Sequence, residues 1–436
     1  MLEKLDQHIN HKFSFLKEKK LLIAISGGVD SVVLTHLFHQ LNFDISLAHC
    51  NFNLRGKESD KDEEFVKKLG KQLNVKTFSI RFETETYAKE NQLSTQVAAR
   101  NLRYNWFQKL INKHHFDYVL TAHHADDNLE TFLINLTRGS GLEGLTGIPE
   151  VNNHIVRPFL IFSRDEIEIY AAENNIKWRK DKSNASTKYL RNKIRHQIVP
   201  ILKEINPTLL NSFQKTTEHL QESQYLIDES IFDFKNKVVT ISENGTQKID
   251  ISQIQETTNP KAYVYQLLKE FGFTEWNDVT HLLSAQSGKE VLSKTHRLLK
   301  DRGFLLLSEM KENNKNLEYK ITENTLEITI PLHLTFKKTT EISSENKNVI
   351  FIDLEKVTYP LILRKWQHGD YFYPKGMQGK KKVSKYFKDE KFSLLEKENT
   401  WLLCSNDTVL WIVGYRQDNR FLVDKNTVTV LKIALR

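Results

Sequence analysis

Two stretches of this sequence have the residue types and spacing for chemistry on a phosphate. The first is Ser26-Gly27-Gly28-Val29-Asp30-Ser31, which follows the apolar run LLIAI and precedes an apolar-periodic segment reaching Gln40. Adjacent glycines reach backbone conformations closed to other residues and let main-chain N–H groups approach an anion, while a helix starting there adds donors and a favourable dipole. Ser26 and Ser31 supply hydroxyls. A tight turn with Asp30 or Ser31 as helix cap would use the same letters, but strand, loop and helix in that order is the context a phosphate site requires. There is no G-x-x-x-x-G-K-[ST], and so no lysine of that pattern to reach terminal phosphates. The second stretch is TAHHADDNLETF at 121–132. Asp126 and Glu130 stand four apart and Asp127 and Glu130 three apart, so carboxylates share a helical face. Acids in a first turn also serve as caps. A histidine pair such as His123 and His124, without further ligand spacing, more often makes hydrogen bonds than binds metal.

Arginines recur in two further places. In QVAARNLRY, Arg100 and Arg103 lie on one helical face with Tyr104 four after Arg100; a solvated helix face is the plain alternative. In DKSN at 181–184 followed by RNKIR at 191–195, Arg191 and Arg195 align, and the planar guanidinium fork suits phosphate and carboxylate. Gly139-Ser140-Gly141 and Gly144 spell G-x-G-x-x-G, but behind a helix and not a strand, so a dinucleotide fingerprint is rejected and Gly139 is expected to end the helix.

The elements that must position these residues follow from periodicity. Runs LLIAI, ISLAH, KTFSI and YVLTA read as strands, alternating with helical segments Asp30–Gln40, Lys57–Leu73, Ser94–Lys113 and Asp126–Thr137. That alternation predicts an α/β domain with a parallel sheet covered on both faces and ligands at the strands' carboxyl ends. Helical patterns dominate 200–300, including Pro207–Phe232 and Pro260–Phe271; a polar stretch with the β-like run LEITIPLHL follows; short β runs fill 349–436. The expected organisation is a catalytic domain over 1–215, a helical module over 216–315, a connecting region over 316–348 and a small β-rich α+β C-terminal domain over 349–436.

Composition narrows the classes. The 436 residues carry a net charge of +8 and a pI near 9.0, which permits a polyanionic partner without demanding one. No apolar run approaches the roughly 18–20 residues of a membrane span, and MLEKLDQHINHKFSF lacks a secretory apolar region, so a cytoplasmic location is expected. The two cysteines, Cys50 and Cys404, form no C-x-x-C pair and support neither a disulfide framework nor a zinc or iron–sulfur site. In the C-terminal part, Lys375, Lys380, Lys381, Lys382, Lys385 and Lys388 interleave with Tyr371, Phe372, Tyr373, Tyr386 and Phe387, offering phosphate neutralisation beside stacking surfaces. A lysine-guarded sheet edge would look similar.

The loop at 26–31 resembles the SGGxDS loop of the PP-loop ATP pyrophosphatases, which split ATP to AMP and pyrophosphate while adenylating a substrate oxygen. Taken in order, SGGVDS, His49-x-Asn51 with Leu54-Arg55-Gly56, ARNLRY, AHHADDNLET, RGSGLEGLTGI, RPFL, DKSNAS and RNKIR look like the N-terminal domain of the tRNA(Ile)-lysidine synthetases. LRKWQHGDYFYPKGMQGKKKVSKYFKDEKFSLLEKE and the later WIVGYRQDNRF resemble that family's C-terminal domain. The likeness covers residues 20–200 and about 350–422; at KFSLLEKENT it departs from a pattern in which a proline and an arginine are expected.

The resemblance implies attachment of free lysine to the wobble cytidine of the CAU-anticodon isoleucine tRNA. ATP would adenylate the cytosine carbonyl oxygen and the lysine ε-amine would displace AMP, with ATP and Mg2+ as cofactors and a homodimer left open. By the same resemblance Ser26, Gly27, Gly28, Val29, Asp30, Ser31 and Arg100 hold ATP, and Asp30 also takes the metal. Asp30, Asp127, Glu130, Arg191 and Arg195 are the catalytic set, with Asp127 and Glu130 holding the ammonium of lysine. Arg103, Tyr104, His123, Asn192, Lys380, Lys381, Lys382 and Lys385 meet the substrates. A tRNA thiolase on the same loop would rely on paired cysteines or an iron–sulfur cluster, and this chain has no cysteine pair to serve. A small-molecule amidating synthetase would leave the basic C-terminal segment unexplained, and a non-catalytic tRNA binder would not need the intact loop.

Overall fold

The computed structural model describes residues 1–179, 190–242, 245–310, 318–341, 346–377 and 379–436. The DKSNAS stretch lies outside the described residues. The chain divides into two compact units, Met1–Glu229 and Ser230–Arg436.

The first unit runs α1 (Leu2–Lys12), β1 (Leu21–Ala24), α2 (Val29–Gln40), β2 (Ile45–Asn51), α3 (Lys57–Gln72), β3 (Thr77–Arg81), α4 (Thr84–Glu90), α5 (Thr95–His114), β4 (Tyr118–Leu120), α6 (Ala125–Thr137), α7 (Leu142–Leu145), β5 (Val151–Asn152), β6 (Ile155–Val156) and α8 (Arg164–Glu173). Then come α9 (Leu190–Lys193), a π-helical turn at Ile194–Ile198, α10 (Val199–Ile205) and α11 (Leu209–Val238), which continues into the second unit. The sheet order is β3-β2-β1-β4-β6-β5. All neighbours are parallel except β5, which pairs antiparallel with β6 at the edge.

Covered on both faces, β1 buries nearly every side chain, which is why it reads as an unbroken apolar run instead of an alternating one. On one face Leu5 and Ile9 of α1, Leu34 and Phe38 of α2, Val66 of α3 and Ile167 of α8 close over Leu21 and Ile23. On the other, Trp106, Phe107 and Leu110 of α5 pack on Leu22, Ala48 and Val119. Burying one such side chain stabilises by about 1.5–3 kcal/mol, so truncating Leu34 or Phe107 loosens a whole layer. The helices expected over 30–40, 57–73, 94–113 and 126–137 lie within a residue of their places, while the one expected over Pro207–Phe232 runs on to Val238 as α11. Gly139, with φ 71°, sits just beyond the C-cap of α6 as the sequence indicates.

The second unit holds α12 (Ile251–Gln255), α13 (Pro260–Leu268), which lies within the expected Pro260–Phe271, and α14 (Trp276–His281). A five-stranded sheet that the helical periodicity had masked accompanies them: β7 (Val239–Ile241), β8 (Gln247–Asp250), β9 (Glu290–Leu292), β10 (His296–Asp301) and β11 (Phe304–Glu309), in the order β7-β8-β11-β10-β9. Beyond it lie β12 (Tyr319–Ile321), β13 (Glu327–Ile328), β14 (Leu334–Thr339), β15 (Val349–Asp353), β16 (Leu361–Lys365), β17 (Tyr371–Phe372), β18 (Lys381–Lys382), α15 (Val383–Asp389), α16 (Leu394–Asn399), β19 (Trp401–Ser405), β20 (Thr408–Ile412), β21 (Arg416–Gln417) and β22 (Val430–Leu435). Strands from the stretch read as a connector join these sheets, since β12 pairs with β16 and β14 with β22. Trp411 and Leu403 anchor the core between them. No helix among the described residues is long and apolar enough to cross a membrane.

Candidate active site

The strand order reverses at β1, whose neighbours β2 and β4 are reached by crossovers on opposite sides, so the carboxyl ends of β1 and β4 flank a crevice. The Ser26–Ser31 loop leaves β1 on one side of it, and the His123-His124 loop leaves β4 on the other. Gly27 has φ +91°, a conformation strained for any side chain, and its carbonyl is fixed outward by the N–H of Arg179 at 2.9 Å. Gly28 caps α2 with no side chain on the helix's first N–H groups, which stay open to an anion. The two serines do different things. Ser31 is buried, accepts from the N–H of Ser26 and donates to the carbonyl of Gly28 at 3.0 Å, so it braces the loop. Ser26 is exposed, with its Oγ accepting from the N–H of Gly28 at 3.3 Å.

Asp30, in the first turn of α2, faces the crevice. Its Oδ2 accepts from Nη1 of Arg164 at 2.6 Å, while its Oδ1 is buried with no hydrogen-bond partner. Burial pushes this carboxyl up, against the pull of His124 and Arg164. An orphaned carboxylate oxygen next to a phosphate loop fits Mg2+, which usually takes one or two carboxylates and completes its shell with phosphate and water. Among the described residues no group of three or more His, Cys, Asp or Glu could hold a metal ion.

Across the crevice, α6 presents its acids. Asp127 Oδ2 accepts from the backbone N–H of His124 at 3.2 Å and closes a capping box, while Oδ1 takes Nη2 of Arg195 at 3.0 Å. Capping and charge chemistry therefore occupy different oxygens of one carboxylate. Glu130, 1% exposed, accepts from Nε and Nη2 of Arg195 at 2.6 and 2.9 Å, with Nε of Arg191 at 3.7 Å. Arg191 also donates to Oγ1 of Thr131 at 2.5 Å. Both arginines come from the segment after residue 190, and Arg195 sits in the π-helical turn, a distortion frequent at functional sites. Burial pushes Glu130 up while Arg195 opposes it; against burial, His124, His123 and Arg195 hold Asp127 below its usual value.

The paired histidines part company. His123 bonds Oγ1 of Thr121 through Nδ1 at 2.9 Å, and burial lowers it to about 4, so its ring is neutral at physiological pH. His124, 3% exposed, stands 3.3 Å from Asp127, 3.6 Å from Asp126 and 3.9 Å from Asp30; against the cost of burial those carboxylates push it up.

The structure thus gathers the 26–31 loop, Asp127, Glu130, Arg191 and Arg195 around one crevice, with His123 beside them and Asn192 half-buried on the same helical turn as Arg191. Arg100 and Arg103 on α5 take separate partners: Arg100 lies over the Tyr104 ring at 4.9 Å and Arg103 over Phe52 at 5.1 Å. Three site residues escaped the sequence reading. Arg164 binds Asp30; Lys203 binds Asp126 at 2.7 Å; Arg179 holds Gly27 and pairs with Asp62 at 2.9 Å. A signal existed for Arg164, because Ser163-x-x-Glu166 is a capping box that places it at a helix start. Lys203 and Arg179 carried no local mark.

The C-terminal lysine cluster needs one correction. Phe372 and Phe387 are 0% exposed and Tyr386 is buried with them, packed on Leu402 and Ile412, so they are core and not stacking surfaces. The cause is local geometry: alternation along β17 turns Tyr371 out and Phe372 in, and α15 buries the face carrying Val383, Tyr386 and Phe387. Tyr371 and Tyr373 remain accessible, covered by Arg420 at 5.7 and 4.5 Å and, at Tyr371, by Lys380 at 5.2 Å. Lys381 is half-buried and pairs with Asp389 at 2.7 Å; Lys382 and Lys385 are exposed.

A glycine- and serine-lined loop at the switch point of a parallel sheet, facing an acidic helix start, defines a nucleotide-using domain of the PP-loop class. Residues 1–202 match the family model described as PP-loop domain, 242–310 the TilS substrate binding domain and 361–433 the TilS substrate C-terminal domain. Over 431 residues the chain is 40% identical to the tRNA(Ile)-lysidine synthase of Parabacteroides distasonis, covering 96% of both. It is 37% identical to that of Bacteroides thetaiotaomicron, covering 98% of this chain and 97% of the relative, and 31% identical to that of Bacillus subtilis, covering 92% and 91%. The chain belongs to the tRNA(Ile)-lysidine synthase family.

Proposed function

We propose that the chain joins L-lysine to the wobble cytidine of CAU-anticodon tRNA(Ile) at the expense of ATP, forming lysidine so that the tRNA reads AUA and is charged with isoleucine. The observation that carries this reading is the crevice itself, with an anion-binding loop on the β1 side and paired carboxylates and guanidiniums on the β4 side. Cytosine O2 attacks the α-phosphorus of ATP, the bond to the β-phosphate oxygen breaks and pyrophosphate leaves. The lysine ε-amine then attacks C2, the C2–O bond breaks with AMP as leaving group, and the amine's surplus protons pass to acceptors. Lysine's unperturbed pKa of about 10.4 makes a proton acceptor or desolvation necessary near neutral pH.

In this assignment the N–H groups at the start of α2, with Ser26, Gly27, Gly28, Val29 and Ser31, hold the phosphates, and Arg100 assists with ATP. Asp30, one of whose carboxylate oxygens is unpartnered, would hold Mg2+, which would supply charge neutralisation on the phosphates. Asp127 and Glu130 receive the ammonium of lysine as Arg195 shifts from them toward the phosphate charge, with Arg191 beside it. Arg103, Tyr104, His123 and Asn192 meet the tRNA near the reacting base. Lys380, Lys382 and Lys385 meet its backbone, and Lys381 joins them by exchanging Asp389 for a phosphate. The modules from residue 216 onward bind tRNA and reject the methionine tRNA that shares the CAU anticodon. The reaction belongs in the cytoplasm, where its tRNA is.

The test incubates the protein with ATP, Mg2+, labelled lysine and either tRNA. Label on the isoleucine tRNA alone, with AMP released, is the expected result. Pyrophosphate release with no lysine on any tRNA would keep the ATP loop and reject the reaction.

A further inference from the structure

The second unit holds two separately matched modules, residues 242–310 and 361–433. Their apolar cores are separate as well: one gathers Ile254, Leu268, Leu298 and Leu307, and the other Leu363, Leu403, Trp411 and Ile433. Relative motion is the default between modules that share no apolar core. We propose that Arg297 and Glu398 are positioning residues, an ion-pair lock that holds the middle sheet and the C-terminal domain in one orientation so that tRNA meets a preformed surface. The inference rests on the tRNA-binding role proposed above for these modules and names what sets the angle between them.

Three observations carry it. First, Arg297 on β10 is aimed. Its Nε donates to Oε2 of Glu290 on the neighbouring β9 at 2.7 Å, which fixes the guanidinium plane, and Nη1 and Nη2 reach both oxygens of Glu398, on α16, at 2.7 and 3.1 Å. A two-pronged pair of this kind sets direction as well as distance. Only 19% of the Arg297 side chain is exposed, so salt screens the pair less than a fully solvated one. Second, the same sheet makes another contact. Arg302, in the turn after β10, donates through Nη2 to the carbonyl of Lys391, between α15 and α16, and two anchor points resist rotation about either one. Third, the segment carrying Glu398 is stiff: Phe392 stacks on Phe387 at 4.8 Å and packs on Tyr415 at 4.6 Å, and a capping box between Ser393 and Glu396 starts α16. Glu398 itself stands near the end of α16, where an acid opposes the helix dipole, so helix stability does not account for it. When only a fraction of molecules holds the binding-competent orientation, the apparent Kd rises by the inverse of that fraction.

The experiment measures the Kd of the full chain for tRNA(Ile) by filter binding across a salt series, for the wild type, Glu398→Ala, Arg297→Ala and the double variant. Electrostatics alone predicts tighter binding from Glu398→Ala, because a negative charge is removed from a surface that meets a polyanion. The lock predicts the opposite. Kd should rise about three- to fivefold in each single variant and no further in the double, with the salt slope unchanged because no phosphate contact is lost. The Glu398 side chain is 42% exposed and alanine is the better helix former there, so this variant keeps its fold. In lysine transfer the KM for tRNA should rise in step while kcat and the KM for ATP stay put. A Kd lowered or unchanged by Glu398→Ala overturns the lock, as do additive effects in the double variant. A salt slope reduced by about one in Arg297→Ala overturns it in favour of a direct phosphate contact. Wild-type lysine transfer, run alongside, separates the two readings: transfer with an unchanged Kd in Glu398→Ala rejects the lock alone, and tRNA binding weakened by that variant without any transfer keeps the lock and rejects the reaction. A wild-type chain that binds no tRNA overturns both.

Discussion

Glu130 shows what the active-site charges cost and what they do. It lies almost fully buried against Arg195, with Arg191 also near its Oε2, so its removal leaves Arg195 with Asp127 alone and Arg191 with no carboxylate among these contacts. Losing one partner of a buried pair costs about 3–5 kcal/mol. The Arg195 side chain is 29% exposed, and water recovers part of that charge's solvation, so for Glu130→Gln we expect a loss of about 2–3 kcal/mol. Urea unfolding of the wild type and the variant measures it. The variant should also lose lysine transfer while still binding ATP, since the nucleotide's loop belongs to the opposite wall of the crevice. An unchanged unfolding midpoint would mean that Arg195 is held by something other than Glu130.

Between β2, β3 and α3, a single carboxylate ties the elements beside the phosphate loop. Glu63 accepts from Nζ of Lys67 at 2.6 Å, Nδ2 of Asn51 at 3.0 Å and Oγ of Ser79 at 2.9 Å. Although burial works against ionisation, those donors hold Glu63 down at about 2. A depressed folded pKa adds stability that is complete above the unfolded value of roughly 4.3 and fades as pH falls through the folded one. The stability difference between wild type and Glu63→Gln should therefore be constant near neutrality, shrink from about pH 4.5 and level off below about pH 2, read from unfolding midpoints against pH. A difference independent of pH would place the effect in packing and not in ionisation. Elements of this kind also mark what sequence makes legible. The inner strands β1 and β2 of the parallel sheet announce themselves as apolar runs because both faces are buried, and the loop at 26–31 is local in sequence. The two-residue strands β5 and β6 carry no period to detect, and the middle sheet was hidden between helices. Pairings such as Arg195 with Glu130, or Lys203 with Asp126, join residues far apart in sequence. Spacing could align Arg191 with Arg195, but only the fold shows which acid they meet.

For the whole molecule, the question is how a net charge of +8 is used. Several lysines of the C-terminal cluster are already engaged: Lys381 holds Asp389, and Lys380 lies over the exposed Tyr371 ring. The exposed Lys382 and Lys385 flank the same hairpin and helix, beside Arg420 on Tyr371 and Tyr373. A polyanion bound there releases counterions from its phosphates, so affinity falls with salt in proportion to the contacts made, at roughly 0.7–0.9 per phosphate on a log–log plot. Reversing Lys380, Lys382 and Lys385 to Glu should weaken tRNA binding and flatten that slope by about 2–3. The side chains are at the surface and Phe372, Tyr386 and Phe387 remain buried beneath them, so the thermal midpoint should hold. Filter binding across a salt series reads both quantities. A weaker complex with an unchanged slope would trace the loss to the tyrosines' stacking, since only ionic contacts enter the slope. An unchanged affinity would leave the cluster as a guarded sheet edge and move the tRNA's path elsewhere on the chain.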